Sequence, residues 1–140
     1  MQNAKCKTKG PADSNLMLRG INMNNSIIEN KSFDFAVRII NLCKYLNTEK
    51  KEFVLSKQLL RSGTSIGANV AEAEKAQTKP DFNTKMNIAL KEANETHYWL
   101  RLLNRTDYLT DSEFLSIEKD TKEIIAILVS ICKKTNKVQL

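Results

Sequence analysis

The sequence predicts an all-α protein, an antiparallel up-down-up-down four-helix bundle with a flexible N-terminal leader. Three observations carry that prediction. Of 140 residues, 41% are hydrophobic while only four are Gly and two are Pro, a composition that supplies one core and few helix breakers. Apolar residues recur at steps of three and four in four separate stretches after residue 24, which is the period of a single helix face. Polar links of only a few residues join these stretches, so successive helices are expected to be antiparallel neighbours. The expected division is a leader over 1–24 and a bundle domain over 25–140.

Residues 1–24 mix Lys, Asn, Gly and Ser without a sustained period, the pattern of a flexible segment. Met17 and Met23 are candidate alternative starts, and the fold is expected after Met23. Over 32–47, Phe35, Ala36, Ile39, Ile40, Leu42, Cys43 and Leu46 form a broad apolar face, with Ser32 as the expected cap of a first helix. A polar link over 47–51 leads to a second helix from Phe53 to about Lys75, with Leu55, Leu59, Ile66 and Val70 inward. Thr78 is placed to cap a third helix, Pro80 fits its first turn, and Asp81 complements its dipole. The core row of that helix is Phe82, Met86, Ala89, Leu90, Ala93, His97, Leu100 and Leu103. After a link over 104–109, a capping box from Thr110 to Glu113 opens a fourth helix. Its inner row is Phe114, Ile117, Thr121, Ile124, Ile125, Leu128 and Ile131, and the tail from Lys133 onward is expected to fray.

The second helix is unusually rich in small residues: Ser62, Gly63, Ser65, Gly67, Ala68 and Ala71. Each glycine inside a helix costs about 1 kcal/mol relative to Ala. A pair four residues apart, continued by Ala71, points to close approach by another helix. Beside it runs a polar row of Gln58, Ser62, Ser65, Asn69 and Glu72 at steps of four and three. Such groups must be paired where they are buried, which predicts a hydrogen-bonded seam inside the bundle or between subunits. Gln58, Ser62, Gly63, Ser65, Gly67, Asn69 and Glu72 are therefore candidate packing or oligomer-interface residues. So much specialised surface on one helix predicts a homo-oligomer.

Composition narrows the function classes. The chain carries 22 Lys and Arg against 16 Asp and Glu, for a net charge of +6. Lys5, Lys7, Lys9 and Arg19 against Asp13 place +3 of that in the first 22 residues, leaving the body only weakly basic. Cys6, Cys43 and Cys132 form no CxxC pair, the pattern of free thiols in a reducing compartment. No apolar run approaches the length of a membrane span or of a signal-peptide core, so the expected location is cytoplasmic and no membrane partner is expected.

A di-iron bundle would need two Glu-x-x-His pairs, and the single histidine has Asn94 three residues before it. No metal or other cofactor is predicted. His97 sits on the apolar row without a nucleophile or orienting carboxylate at matching spacing, so it is read as a core or interface histidine with Glu92 or Glu95 as its nearest partner, and no catalytic residue is assigned. Lys91, Asn94, Tyr98, Arg101 and Arg105 fall at steps of three and four on the outer side of the third helix. They combine cations with a stackable ring, the chemistry that holds nucleic acid. A solvated face, with Tyr98 and Trp99 covering apolar surface, is the plainer reading. Lys50, Lys57 and Arg61 form a second basic row, read as a solvated edge.

The run QLLRSGTSIGANVAEAEKAQ, followed by DFNTKMNIALKEANETHYWLRLL, resembles the 23S rRNA-intervening sequence proteins, also called S23 ribosomal proteins. The likeness spans residues 32–131. It is most specific at Gln58, Arg61, Ser65, Ile66, Asn69, Ala71 and Glu72, and at Phe82, Ala89, Leu90, Glu92, Glu95 and Leu100. Where many members have Gly after the Ala-Glu pair, this chain has Ala73. The resemblance implies a small bundle that assembles into a ring-shaped homo-oligomer, typically a pentamer, with a basic surface and no enzymatic activity. It is also similar to the accessory proteins of diversity-generating retroelements, which implies RNA or DNA and a reverse transcriptase as partners. A structural or protein-interaction bundle that does not touch nucleic acid is the alternative.

Overall fold

A computed structural model describes the backbone of residues 16–137 and the side chains of residues 27–136. Four helices follow one another: α1 (Leu16–Thr48), α2 (Leu55–Glu74), α3 (Lys79–Arg105) and α4 (Asp111–Lys137). Each packs on the next and α4 returns to α1, while the diagonal pairs do not meet among the described residues. This is the antiparallel bundle the spacing predicts.

The first boundary differs from expectation. Helix α1 begins at Leu16, well before Ser32, and Ser32 is a buried mid-helix residue whose hydroxyl donates to the Glu29 carbonyl at 3.2 Å rather than capping. Ile28, Phe35, Ile39, Cys43 and Leu46 form one continuous buried row. Ile28 extends the row upstream of the expected start, and this packing outweighs the weak propensity of the Asn-rich stretch beside it. The part of the expected leader over 16–24 is thus helical, and residues 1–15 lie outside the described residues.

Glycines in α2 answer to α1. A Cβ on Gly63 would stand 2.8 Å from Ile39 Cγ2 and 2.9 Å from Cγ1, and one on Gly67 would stand 3.2 Å from the Ser32 carbonyl oxygen. On its other side α2 meets α3, where the Thr96 and Ser62 hydroxyls, both fully buried, are 3.0 Å apart. The remaining members of the polar row are spent locally: Ser65 Oγ donates to the Arg61 carbonyl at 2.6 Å and Asn69 Nδ2 to the Ser65 carbonyl at 2.8 Å. Gln58 and Glu72 are exposed, and Glu72 pairs with Lys85 at 2.7 Å.

Helix starts follow their caps. Thr78 accepts from the Asp81 N–H, and Thr110 and Glu113 exchange hydrogen bonds as a capping box. At α2 the cap is Glu52, 6% exposed, whose carboxylate accepts from the N–H groups of Val54, Leu55 and Ser56 at 3.0, 2.7 and 2.7 Å. Burial alone would raise its pKa, yet these donations together hold it below the ordinary carboxylate value. Cys43 and Cys132 are buried free thiols, and burial pushes Cys43 up to about 11, with the nearby Glu52 charge adding to it. Cys6 lies outside the described residues.

Candidate nucleic-acid interface

Ion pairing sorts the cations of the bundle. Lys31 reaches Glu123 and Arg38 reaches Asp120, both from α1 to α4. Arg61 of α2 lies between Glu92, at 3.2 Å, and Glu95 of α3. These charges are paired between helices. Lys91, Arg101 and Arg105 are exposed and have no carboxylate within ion-pair distance among the described residues.

Helix periodicity places them together. Arg61 and Lys85 define the side of α3 that meets α2, and His97 defines the side that meets α4, with its Nε2 2.8 Å from Glu118 Oε2. Lys91, Asn94, Tyr98, Arg101 and Arg105 follow on the outward arc beyond His97. Tyr98 is 52% exposed, so its ring is open to a ligand; one edge rests on Trp99 with centroids 5.2 Å apart. Of the four residues proposed from spacing, Tyr98, Arg101 and Arg105 line a single groove of about 310 Å³ between the end of α3 and the start of α4. Lys91 lies outside it, about 10 Å from Tyr98 along the helix axis.

The other walls of the groove were not legible as such from sequence. Phe114 closes it from α4, and Glu118 pairs with His97 in its side. The expected partners of His97, Glu92 and Glu95, are instead held by Arg61. Glu92 and Glu95, five and two positions from His97 on its own helix, were the candidates spacing could offer, whereas the partner in the structure comes from the next helix. Hydrogen bonding from His97, helped by Lys122 at 3.4 Å, holds the Glu118 carboxyl below its usual range despite partial burial. The corner above the groove is pinned by Asn104, whose side chain donates to the Leu109 carbonyl and to Asp111. Among the described residues no group of three His, Cys, Asp or Glu side chains could hold a metal ion, and no helix is long and apolar enough to cross a membrane.

The opposite side of the molecule has a different chemistry. On α1, Ser32 and Ile39 meet α2 while Lys31 and Arg38 reach α4. Phe33, Val37 and Ile40 fall on the remaining arc, at 68%, 45% and 39% exposed. On α2, Gly63 meets α1 and Ser62 meets α3, which turns Leu60, 39% exposed, and Thr64 to that same outer side. A row of large exposed apolar side chains on adjacent helices is the signature of an interaction surface. Ser62 and Gly63, buried inside the bundle, cannot contribute to it.

Comparison with known proteins agrees with this architecture. Residues 24–130 match the family described as 23S rRNA-intervening sequence protein. A crystal structure of a protein with unknown function from the S23 ribosomal protein family of Bacteroides thetaiotaomicron is 59% identical, with a TM-score of 0.78, covering 79% of this chain and 98% of that one. No curated protein matches the chain. The match over most of the bundle and the high identity to a solved relative lead to one conclusion: the chain belongs to the 23S rRNA-intervening sequence protein family, also called the S23 family.

Proposed function

We propose that the protein is a non-enzymatic accessory factor that assembles as a homo-oligomeric ring and binds RNA or DNA through the outer face of α3. The observation that carries this reading is that Arg101 and Arg105, neither ion-paired among the described residues, line one groove with the exposed Tyr98, while the likewise unpaired Lys91 lies farther along the same face. Cations neutralise phosphates and the ring stacks on bases, so binding depends strongly on salt and little on sequence. Assembly through the apolar face of α1 and α2 leaves this basic face outward. A ring of five, the form the family resemblance implies, requires that the apolar face meet a different surface of the next copy, because copies joined through one shared patch stop at two. Each ring then presents the arginine pair several times, and avidity strengthens a weak single site.

Fluorescence anisotropy with a labelled single strand and a duplex, over a salt series, tests the proposal. The expected result is binding at low salt whose logarithmic slope falls by about two when Arg101 and Arg105 are both changed to Ala. Binding unaltered by that double change overturns the assignment of the face. A full-length variant with Lys5, Lys7 and Lys9 changed to Gln is the control for charge outside the bundle.

The exposed row of Phe33, Val37, Ile40 and Leu60 also supports a second reading, in which the bundle docks another protein and does not touch nucleic acid. A neighbouring reverse-transcriptase gene, with co-purification of its product, favours the accessory role; a monomer that binds neither strand form favours the interaction bundle.

A further inference from the structure

The groove between α3 and α4 does more than add charge to a face: its lining is suited to a single unstacked nucleotide. Its volume of about 310 Å³ lies at the lower end of ordinary ligand pockets, a size on the scale of one nucleotide. Arg101 and Arg105 both line it one helical turn apart, with Cβ atoms about 5–6 Å from each other, so both guanidinium groups are within reach of one phosphate. Aromatic surface comes from both helices, Tyr98 from α3 and the half-buried Phe114 from α4. The Glu118 carboxylate, held by His97 at 2.8 Å and by Lys122 at 3.4 Å, keeps lone pairs that can accept from a base N–H group. The lining therefore combines cations, aromatic surface and an acceptor.

We propose that this groove seats one unstacked nucleotide, its phosphate between Arg101 and Arg105 and its base between Tyr98 and Phe114 with a donor edge toward Glu118. The inference rests on the nucleic-acid reading above and sharpens it. A base enters only if it has left its stack, so single strands and frayed ends are favoured over continuous duplex.

Two measurements test it on the full-length protein. In anisotropy titrations, Phe114→Leu keeps an apolar side chain in the wall but removes the ring, and Tyr98→Leu does the same at an exposed position. Each is expected to weaken single-strand binding about tenfold, with duplex binding unchanged. In a second measurement, adenosine monophosphate added to labelled wild-type protein is expected to shift the His97 imidazole NMR signals more than inorganic phosphate does. Equal loss of single-strand and duplex binding in both variants, no loss in either, or equal shifts from phosphate and nucleotide each overturn the pocket while leaving a purely electrostatic face intact. Absence of any binding by the wild type at low salt removes the broader reading and this one with it.

Discussion

Gly63→Ala is the sharpest test of how α1 and α2 pack. In an ordinary exposed helix the change gains about 1 kcal/mol from propensity. Here the new Cβ would stand 2.8 and 2.9 Å from the two γ carbons of Ile39 and 3.2 Å from its Cβ, against a comfortable carbon separation of about 3.5 to 4.0 Å. Ile39 cannot swing aside, because a β-branched residue in a helix has one strongly preferred χ1 rotamer. Overpacking of this kind costs about 1 to 3 kcal/mol, so the overlap exceeds the propensity gain and the net effect is a loss of about 1 kcal/mol. Urea denaturation followed by circular dichroism, at one protein concentration, measures it. The decisive comparison is the same change in an Ile39→Ala background, which removes both γ carbons. Ile39→Ala alone should cost about 2 to 5 kcal/mol through the cavity it opens. With the obstruction gone, adding Gly63→Ala should then stabilise, giving a coupling of about 1 to 3 kcal/mol. Equal effects in the two backgrounds would refute the claim that glycine is there to admit Ile39.

Glu52→Gln should cost about 1 to 3 kcal/mol near neutral pH by weakening the cap of α2. Since the folded carboxylate titrates below its unfolded value of 4.5, its contribution is present above that value and disappears as pH falls through the folded pKa; urea melts from neutral to acid pH should therefore converge for wild type and variant. Thr96→Val should cost about 1 kcal/mol by taking a buried hydroxyl from Ser62, read from the same melts. Arg61→Ala should cost less than about 1 kcal/mol, because its side chain is 49% exposed, and the difference should shrink as sodium chloride is added. Val37→Glu should leave the helical signal unchanged and lower the mass seen by light scattering, as expected if the α1–α2 face joins copies; an unchanged mass would move the interface elsewhere.

Most of the bundle is legible in the sequence because helix burial writes itself as a period. Leu59, Ile66 and Val70 in α2 and Met86, Ala89, Ala93 and Leu100 in α3 were placed inward by spacing and are at most marginally exposed. The caps at Thr78 and Thr110 were equally readable, since a cap is local chemistry. What spacing could not supply was anything that depends on how helices face one another. It offered Glu92 and Glu95 to His97, whereas Glu118 holds it from α4. The polar row of α2 left open a seam inside the bundle or between subunits; the structure uses its Ser62 inside the bundle, against Thr96 of α3, while the exposed apolar row of Phe33, Val37 and Ile40 lies on α1. Glu52 was overlooked because its capping role comes from three backbone donors brought around a turn, with Lys51 at φ 53°.

That redistribution bears on the proposed assembly. A subunit seam on the exposed part of the α2 polar row would lie beside the α2–α3 edge, where Arg61 holds Glu92 and Glu95, and would crowd the outer face of α3. The apolar row instead lies on the layer made by α1 and α2, and Arg101, Arg105 and Tyr98 lie on the layer made by α3 and α4. In the proposed assembly, self-association and nucleic-acid binding use different helices and do not compete for surface. Their coupling would be through number alone: each added copy brings another arginine pair into reach of the same strand, so affinity should rise with subunit count while the salt slope per site stays constant. A Val37→Glu monomer should accordingly retain the groove and its preference for single strands, but bind more weakly than the assembled protein by the factor that avidity supplies.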